Sequence, residues 1–283
     1  MNRKKAVFFA VLAAALYAIN APVSKLLLTQ IPSAMMAGLL YLGAGIGMCI
    51  LEKCNQHTQE LPLTKAEIPY TVAMVALDIA APVFLMIGLT RCSAANASLL
   101  NNFEIVATSL IALFFFREAI SKRLWLAIIL VTLSSILLSF EDMHSLQFSW
   151  GSVFVLLACI CWGFENNCTR MLSSKNPAQI VMIKGLGSGI GALILSFAVG
   201  DRFFHIGYMV LALLLGFVAY GLSIYFYIYA QRDLGAAKTS TYYAVSPFIG
   251  AGLSLIIFKE LPSGNFVIAL SIMAAGTYFA SAE

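Results

Sequence analysis

Charged residues are the scarcest class in this chain of 283 residues: Asp, Glu, Lys and Arg make up 11%, while hydrophobic residues make up 61%. A soluble domain averages about 25% charged and about 45–50% apolar residues. So little polar surface excludes a water-soluble globule, and the solvent around the chain is lipid. Net charge is +4, but the basic residues are scattered singly and form no patch for nucleic acid. Histidine is rarer still. His57, His144 and His205 lie far apart, in loops or at segment ends. Without HExxH, GxSxG, a P-loop or a selectivity-filter motif, the sequence carries no enzyme or channel signature and asks for no cofactor. The six cysteines, Cys49, Cys54, Cys92, Cys159, Cys161 and Cys168, are too sparse for a disulfide framework. Cys159-x-Cys161 has no histidine nearby to complete a metal site, so these thiols read as small buried hydrophobes.

Long apolar runs are what the chain does have. A spanning helix needs about 20 mostly apolar residues. That length picks out ten segments: 5–29, 33–51, 68–90, 94–116, 124–140, 150–172, 178–199, 206–231, 236–258 and 265–282. The connections are short, the longest running from 52 to 67, and leave no extramembrane domain. Arg3-Lys4-Lys5 ahead of an apolar run resembles a signal peptide, with Ala18-Ile19-Asn20-Ala21 as a mock cleavage site. The run continues past Pro22, however, and has a copy in the sixth segment, which a leader would not.

Lysine and arginine set the orientation. With the N-terminus inside, twelve of them fall at inner ends: Arg3, Lys4, Lys5, Lys53, Lys65, Arg117, Lys122, Arg123, Arg170, Lys175, Arg232 and Lys238. Four fall at outer ends, namely Lys25, Arg91, Arg202 and Lys259, and Lys184 lies within a span. The bias predicts a multi-pass protein of the cell membrane with both termini cytoplasmic.

The chain repeats itself. Phe116-Arg117-Glu118 returns as Phe258-Lys259-Glu260, 142 positions later. Tyr17-Ala-Ile-Asn20 matches Trp162-Gly-Phe-Glu165, Ser24-Lys25 matches Thr169-Arg170, and Pro32 matches Pro177, all at an offset of 145. Gly43-x-x-x-Gly47 matches Gly187-x-x-x-Gly191, pairs expected to be helix-packing surfaces. Ala97-Ser98 matches Thr239-Ser240. Each half, 5–140 and 150–282, holds five spans. An odd number inverts the second half relative to the first, the architecture of many secondary transporters. The expected fold is therefore an all-α integral membrane protein, one transmembrane domain of ten helices in two inverted five-helix repeats.

These residues carry a resemblance. The run from Tyr17 to Lys25, its copy from Trp162 to Arg170, and the two helix–turn–helix units around Glu118 and Glu260 resemble the EamA-type branch of the drug/metabolite transporter superfamily, over essentially the whole chain. The resemblance implies ten helices in two inverted halves and the export or exchange of small metabolites. One departure is Ile105, which stands where the second copy has Pro247. A different pivot geometry is expected in the fourth span.

A charge at the bilayer centre costs about 2.5–3.5 kcal/mol on insertion scales, so such residues tend to line cavities. Asp78, Glu104, Glu165 and Lys184 stand inside the third, fourth, sixth and seventh spans. Lys25 and Arg170, near span ends, read as anchors that snorkel to the interface. Glu104 shares a face with Asn101 and Thr108, and the matching face of the ninth span carries Thr239, Tyr243, Ser246 and Gly250. The sixth span adds Trp162, Glu165, Asn166 and Thr169; the first, Tyr17, Asn20 and Ser24; the eighth, Tyr220, Ser223 and Tyr227. Pro82 follows Asp78 by four, so its ring opposes the Asp78 carbonyl. Tyr225 and Tyr229 read as core or interfacial belt. A bland alternative has Lys184 neutralising one carboxylate and merely joining helices. One cation cannot dispose of three acids, so at least one should bind a proton part of the time, a proton-coupling candidate.

The reading is an alternating-access transporter, not an enzyme, with spans one, three, four, six, eight and nine around a central cavity. Substrate-binding candidates are Tyr17, Asn20, Asn101, Trp162, Glu165, Asn166, Lys184, Tyr220, Tyr227 and Tyr243. Proton-coupling candidates are Glu104 and Asp78. The expected substrate is a small polar or zwitterionic metabolite whose amine meets an acid and whose carboxylate meets Lys184; the expected direction is export with proton exchange. No metal is expected. The only partners required are the bilayer and the metabolite, and a monomer suffices. Rival readings are a proton-independent facilitator or exchanger and, less favoured by mid-span acids, a lipid-handling flippase or membrane enzyme. Glu118 and Glu260 read as turn-fixing register marks that point to Glu104 and its unequal counterpart Ser246.

Overall fold

Side chains that a soluble protein would hide face outward here: Phe8, Phe114, Ile194, Phe197, Ile206, Leu214 and Ile256 are exposed, while Asp78, Glu165 and Lys184 are buried. Such inverted polarity suits a surface wetted by lipid. The computed structural model describes residues 3–54, 61, 63–117, 120–142, 147–172, 175–202, 205–234 and 242–281. Glu118, Lys238, Thr239, Ser240, His57 and His144 lie outside the described residues.

In the first half, α1 (Arg3–Ala18) and α2 (Asn20–Leu27) make the first span, α3 (Ser33–Cys54) the second and α4 (Ile68–Arg91) the third. Next come α5 (Ala94–Leu100) and α6 (Phe103–Phe116) as the fourth, and α7 (Lys122–Ser139) as the fifth. The second half has α8 (Trp150–Leu172), α9 (Pro177–Val199), then α10 (Ile206–Gly216) and α11 (Ser223–Leu234) around a π-helical turn, Phe217–Leu222. It closes with α12 (Ser246–Phe258) and α13 (Gly264–Ser281). Among the described residues, eight spans are long and apolar enough to cross a membrane by length and composition; the ninth and tenth are shorter apolar helices. Among the described residues, the structure besides helices includes a two-stranded ribbon between the halves, β1 (Phe140–Asp142) against β2 (Gln147–Phe148).

Helix ends follow their sequence signals. The Ser93 and Ser121 side chains accept from the backbone N–H groups of Asn96 and Leu124. Asn176 caps α9, whose first residue is Pro177. Arg117 and Lys259, the middle residues of the repeated tripeptide, both end their helices in the left-handed conformation, at φ 55° and 53°. They are the non-glycine residues with positive φ among those described.

Packing also obeys the repeat. The third span lies along the sixth and the eighth along the first, two contacts related by the repeat. The second packs on the seventh, the fourth on the ninth and the fifth on the tenth, each against its own copy. Those pairings define a pseudo-two-fold axis. Glycine permits the closest approaches. A Cβ on Gly43 would lie 2.0 Å from the Leu213 carbonyl oxygen of the eighth span. On Gly191 it would lie 2.2 Å from Ile79 of the third. The two GxxxG pairs thus serve repeat-related contacts, second on eighth and seventh on third.

Several spans are interrupted at depth. Pro22 removes the N–H that the Ala18 carbonyl would accept from, and α1 gives way to α2 there. The ninth span breaks at Ala244–Val245, just before Ser246-Pro247. The fourth breaks at Asn101–Asn102 although it has no proline. The expected difference between these two pivots is corrected: Glu104 N–H and Ile105 N–H bond three residues back, to the Asn101 and Asn102 carbonyls, as Phe248 N–H bonds to Val245. A tight turn with i−3 bonds replaces the proline.

Candidate transport site

Lys184 projects from α9 between two acids. Its Nζ lies 3.2 Å from Asp78 Oδ2 and 3.0 Å from Glu165 Oε1. The Tyr41 hydroxyl donates to Asp78 Oδ1 at 2.9 Å, and the Thr169 hydroxyl donates to Glu165 Oε1. Trp162 is buried beside the Tyr41 hydroxyl. Lys184, expected among the substrate-binding residues, thus pairs with two carboxylates, where the bland alternative had it neutralise one. Tyr41 of the second span was not singled out from the sequence. A lone tyrosine hydroxyl in a span that otherwise reads as packing surface was the available signal.

Glu104 forms no ion pair with that cluster among the described residues, though Glu165 and Lys184 lie within its electrostatic reach. It occupies the first turn of α6, immediately after the break. Its Oε1 accepts from Asn166 Nδ2 at 2.5 Å, and the same amide reaches Thr108 Oγ1 at 3.4 Å. Asn167, one residue on, donates to the Thr108 and Gly163 carbonyls at 3.2 and 2.8 Å, tying α8 to α6. Cys159 Sγ lies 3.6 Å from the Leu100 carbonyl oxygen and 3.9 Å from that of Asn101, so this thiol serves the carbonyls of the break. Sequence reasoning had it only as a small hydrophobe.

Facing Glu104 is a row of tyrosines. Tyr41 and Tyr220 have ring centroids 5.1 Å apart, Tyr220 and Tyr17 5.8 Å, Tyr17 and Tyr243 6.0 Å, and Tyr243 and Tyr227 5.0 Å. Tyr17 and Tyr243 are within electrostatic reach of Glu104. Asn20 Nδ2 donates to the Tyr220 hydroxyl at 3.0 Å, and Ser24 donates to Asn20 Oδ1 at 3.0 Å. Tyr220 sits in the π-helical turn. Ser223 donates to the Ala13 carbonyl at 2.9 Å and contacts the Tyr243 hydroxyl at 3.3 Å. Tyr17, Glu104, Thr108, Asn166, Tyr227 and Tyr243 are partly exposed, whereas Asn20, Asn101, Trp162 and Tyr220 are buried. Tyr225 and Tyr229 pair with each other, their centroids 4.7 Å apart.

Lys25 takes a different place from the interfacial anchor expected of it. Its Nζ donates to the Leu89 carbonyl at 2.7 Å and to that of Cys92, capping the C-terminus of α4. A cation there complements the helix dipole. At the opposite end of the third span, Lys175 pairs with Glu67 at 3.2 Å. Nearby, Asn176 N–H bonds the Leu61 carbonyl at 2.9 Å and Leu63 N–H bonds Gln179 Oε1 at 2.9 Å. Met74, Leu172 and Ile180 form a small buried apolar cluster, with Leu63 and Tyr70 packed against it.

Ten spans in two inverted halves, broken fourth and ninth helices, and a buried acid–lysine–tyrosine centre between the spans define a multi-pass membrane transporter. The chain belongs to the EamA-like transporter family, whose model matches residues 4–140 and again 149–282. An uncharacterized transporter of Methanothermobacter thermautotrophicus is similar at 24% identity over 264 residues, 86% of this chain and 76% of that protein. A protein of known crystal structure superposes with a TM-score of 0.71 at 16% identity, over 97% of this chain and 95% of that one. At that identity the likeness concerns the fold.

Proposed function

We propose that the protein moves a small amine-bearing metabolite, amino-acid-like in size, by alternating access, with Glu104 exchanging a proton for the substrate. One observation carries this reading. Of the three acids, Asp78 and Glu165 share Lys184, while the polar partner of Glu104 among the described residues is the neutral amide of Asn166. A carboxylate without a cation partner inside a membrane protein is a natural place for a proton or an ammonium group. The half-exposed rings of Tyr17, Tyr227 and Tyr243 supply an apolar and cation-tolerant wall, and Asn166 and Thr108 can hydrogen-bond the rest. Asp78 becomes part of a fixed cluster that joins the second, third, sixth and seventh spans. The substrate carboxylate then meets neutral donors rather than Lys184. Export is the direction that the family likeness favours.

Purified protein reconstituted in vesicles, given an imposed pH gradient and labelled amino acids, tests this. Glu104→Gln is expected to abolish gradient-driven flux while substrate-for-substrate exchange persists. Gradient-driven flux unchanged in Glu104→Gln would sink the coupling assignment. Wild-type flux indifferent to the gradient would mark a facilitator.

A further inference from the structure

The charges inside the spans do not balance. Asp78, Glu104 and Glu165 are acids, and Lys184 is the buried cation among the described residues. Asp78 and Glu165 both lie on Lys184, at 3.2 and 3.0 Å, so the ammonium of that cluster is already outnumbered. Glu104 adds a third acid, with Glu165 and Lys184 in its electrostatic reach. Charges in a low-dielectric interior act on one another strongly. The surplus favours a cation at this site and opposes an anion.

Other cations near the described ends of these spans are committed or outside. Lys25 donates to the Leu89 and Cys92 carbonyls. Lys175 pairs with Glu67. Arg91 and Arg170 are exposed. Helix N-termini are the other usual hosts for an anionic group. Within the interrupted spans, α2, α6 and α12 begin after the breaks, but the N–H groups that open them are spent or missing. Pro22 has no N–H, and Val23 N–H bonds the Ile19 carbonyl. Glu104 and Ile105 N–H bond the Asn101 and Asn102 carbonyls. Pro247 has no N–H, and Phe248 and Ile249 N–H both bond the Val245 carbonyl. The first turn of α6 also carries Glu104 itself, whose carboxylate answers the dipole there. Around Glu104 the remaining groups are neutral: the Asn166 amide on Oε1 at 2.5 Å, and the rings of Tyr17 and Tyr243 within its electrostatic reach. Such rings attract cations.

We propose that the substrate carries a net positive charge: its amines outnumber its carboxylates, as in a diamine, a diamino acid or an amino-acid amide, rather than balancing as in a neutral zwitterion. This rests on the reading of Glu104 as the acid that meets substrate, and narrows that reading from any amine to a cation. In a zwitterionic α-amino acid the amine and the carboxylate share one carbon. Docking that amine on Glu104 brings two carboxylates together with no cation between them.

The test uses the purified full chain in detergent and isothermal titration calorimetry near neutral pH. Alanine, leucine and phenylalanine are each titrated beside their amides, which keep amine and side chain but lose the negative charge; lysine is titrated beside norleucine. The best-fitting cation is expected to bind ~10-fold or more tightly than its zwitterionic partner, and Glu104→Gln is expected to shrink that ratio. Free acids that bind as well as their amides or better, or no binding by any of the cations, overturn the proposal. Uptake of the same pairs into vesicles under a pH gradient separates the two readings. Cations bound preferentially but not moved would count against transport and leave the charge preference standing. Free acids moved in preference to their amides would sink the charge preference and leave transport standing.

Discussion

At the scale of single residues, Lys184 has the most to lose. Replacing it strands Asp78 and Glu165 together in a buried site. Breaking a buried ion pair by removing one partner costs about 3–5 kcal/mol, so Lys184→Met is expected to lower the thermal stability sharply in detergent. Adding Asp78→Asn and Glu165→Gln should restore much of it, because neutral amides no longer need the ammonium. A fluorescence-detected melting curve reads both outcomes. The four charged positions were visible in the sequence because any charge stands out in an apolar run. Their pairing was not visible. Whether Lys184 meets one acid or two depends on how α9 is rotated, and that rotation is constrained by its close packing on α3, as at Gly185 against Gly45, which no spacing along one helix encodes. Lys25 illustrates the same limit: a lysine near a span end reads alike whether it reaches headgroups or a neighbour's carbonyls.

At the scale of elements, the broken fourth span is the feature the sequence concealed. Pro22 and Pro247 announce the breaks they cause, whereas Asn101–Asn102 interrupts its helix through i−3 bonds alone. Ile105 occupies the place of Pro247 and gives one of those bonds, to the Asn102 carbonyl at 3.0 Å. Proline is tolerated in the first turn of a helix. Ile105→Pro is therefore expected to fold and transport with a cost under ~1 kcal/mol, where proline in a continuous helix would cost about 3 kcal/mol. Retained flux in vesicles checks it. The left-handed ends at Arg117 and Lys259 make a second prediction. The αL conformation costs a non-glycine residue roughly 1–2 kcal/mol, so Arg117→Gly and Lys259→Gly should each raise the melting temperature, and together nearly additively. The repeated tripeptide was legible as a register mark; that its middle residue turns left-handed in both copies was not.

At the scale of the whole molecule, two ties sit at opposite ends of the third span: Lys25 on its C-terminal carbonyls and Lys175 on Glu67 before its start. The second joins the segment before the third span to the start of the seventh, and Met74, Leu172 and Ile180 form an apolar cluster between those spans with Cys168 half-buried against it. Glu67→Lys turns the attraction into repulsion. It is expected to speed maleimide labelling of Cys168 severalfold, while an unchanged rate would show that the apolar cluster alone shields the thiol. The architecture itself was read correctly from the inversion of an odd number of spans, because hydropathy in a bilayer is a strong constraint. The pseudo-two-fold pairing of third with sixth and eighth with first needed coordinates.

That near-symmetry bears on which way the machine runs. In an alternating-access cycle, two identical halves would give two conformers related by the two-fold axis and equal in energy, with no preference between them. Glu104 and Ser246 occupy the same place in the two halves, each in the first turn after a break, yet only one of them can carry charge. A single ionisable group on one of two matched pivots makes the two conformers unequal, by an amount that depends on whether a proton is bound. On the proposed alternating-access reading, the duplicated scaffold would supply two matched conformers, and one unduplicated carboxylate would make the balance between them depend on its proton.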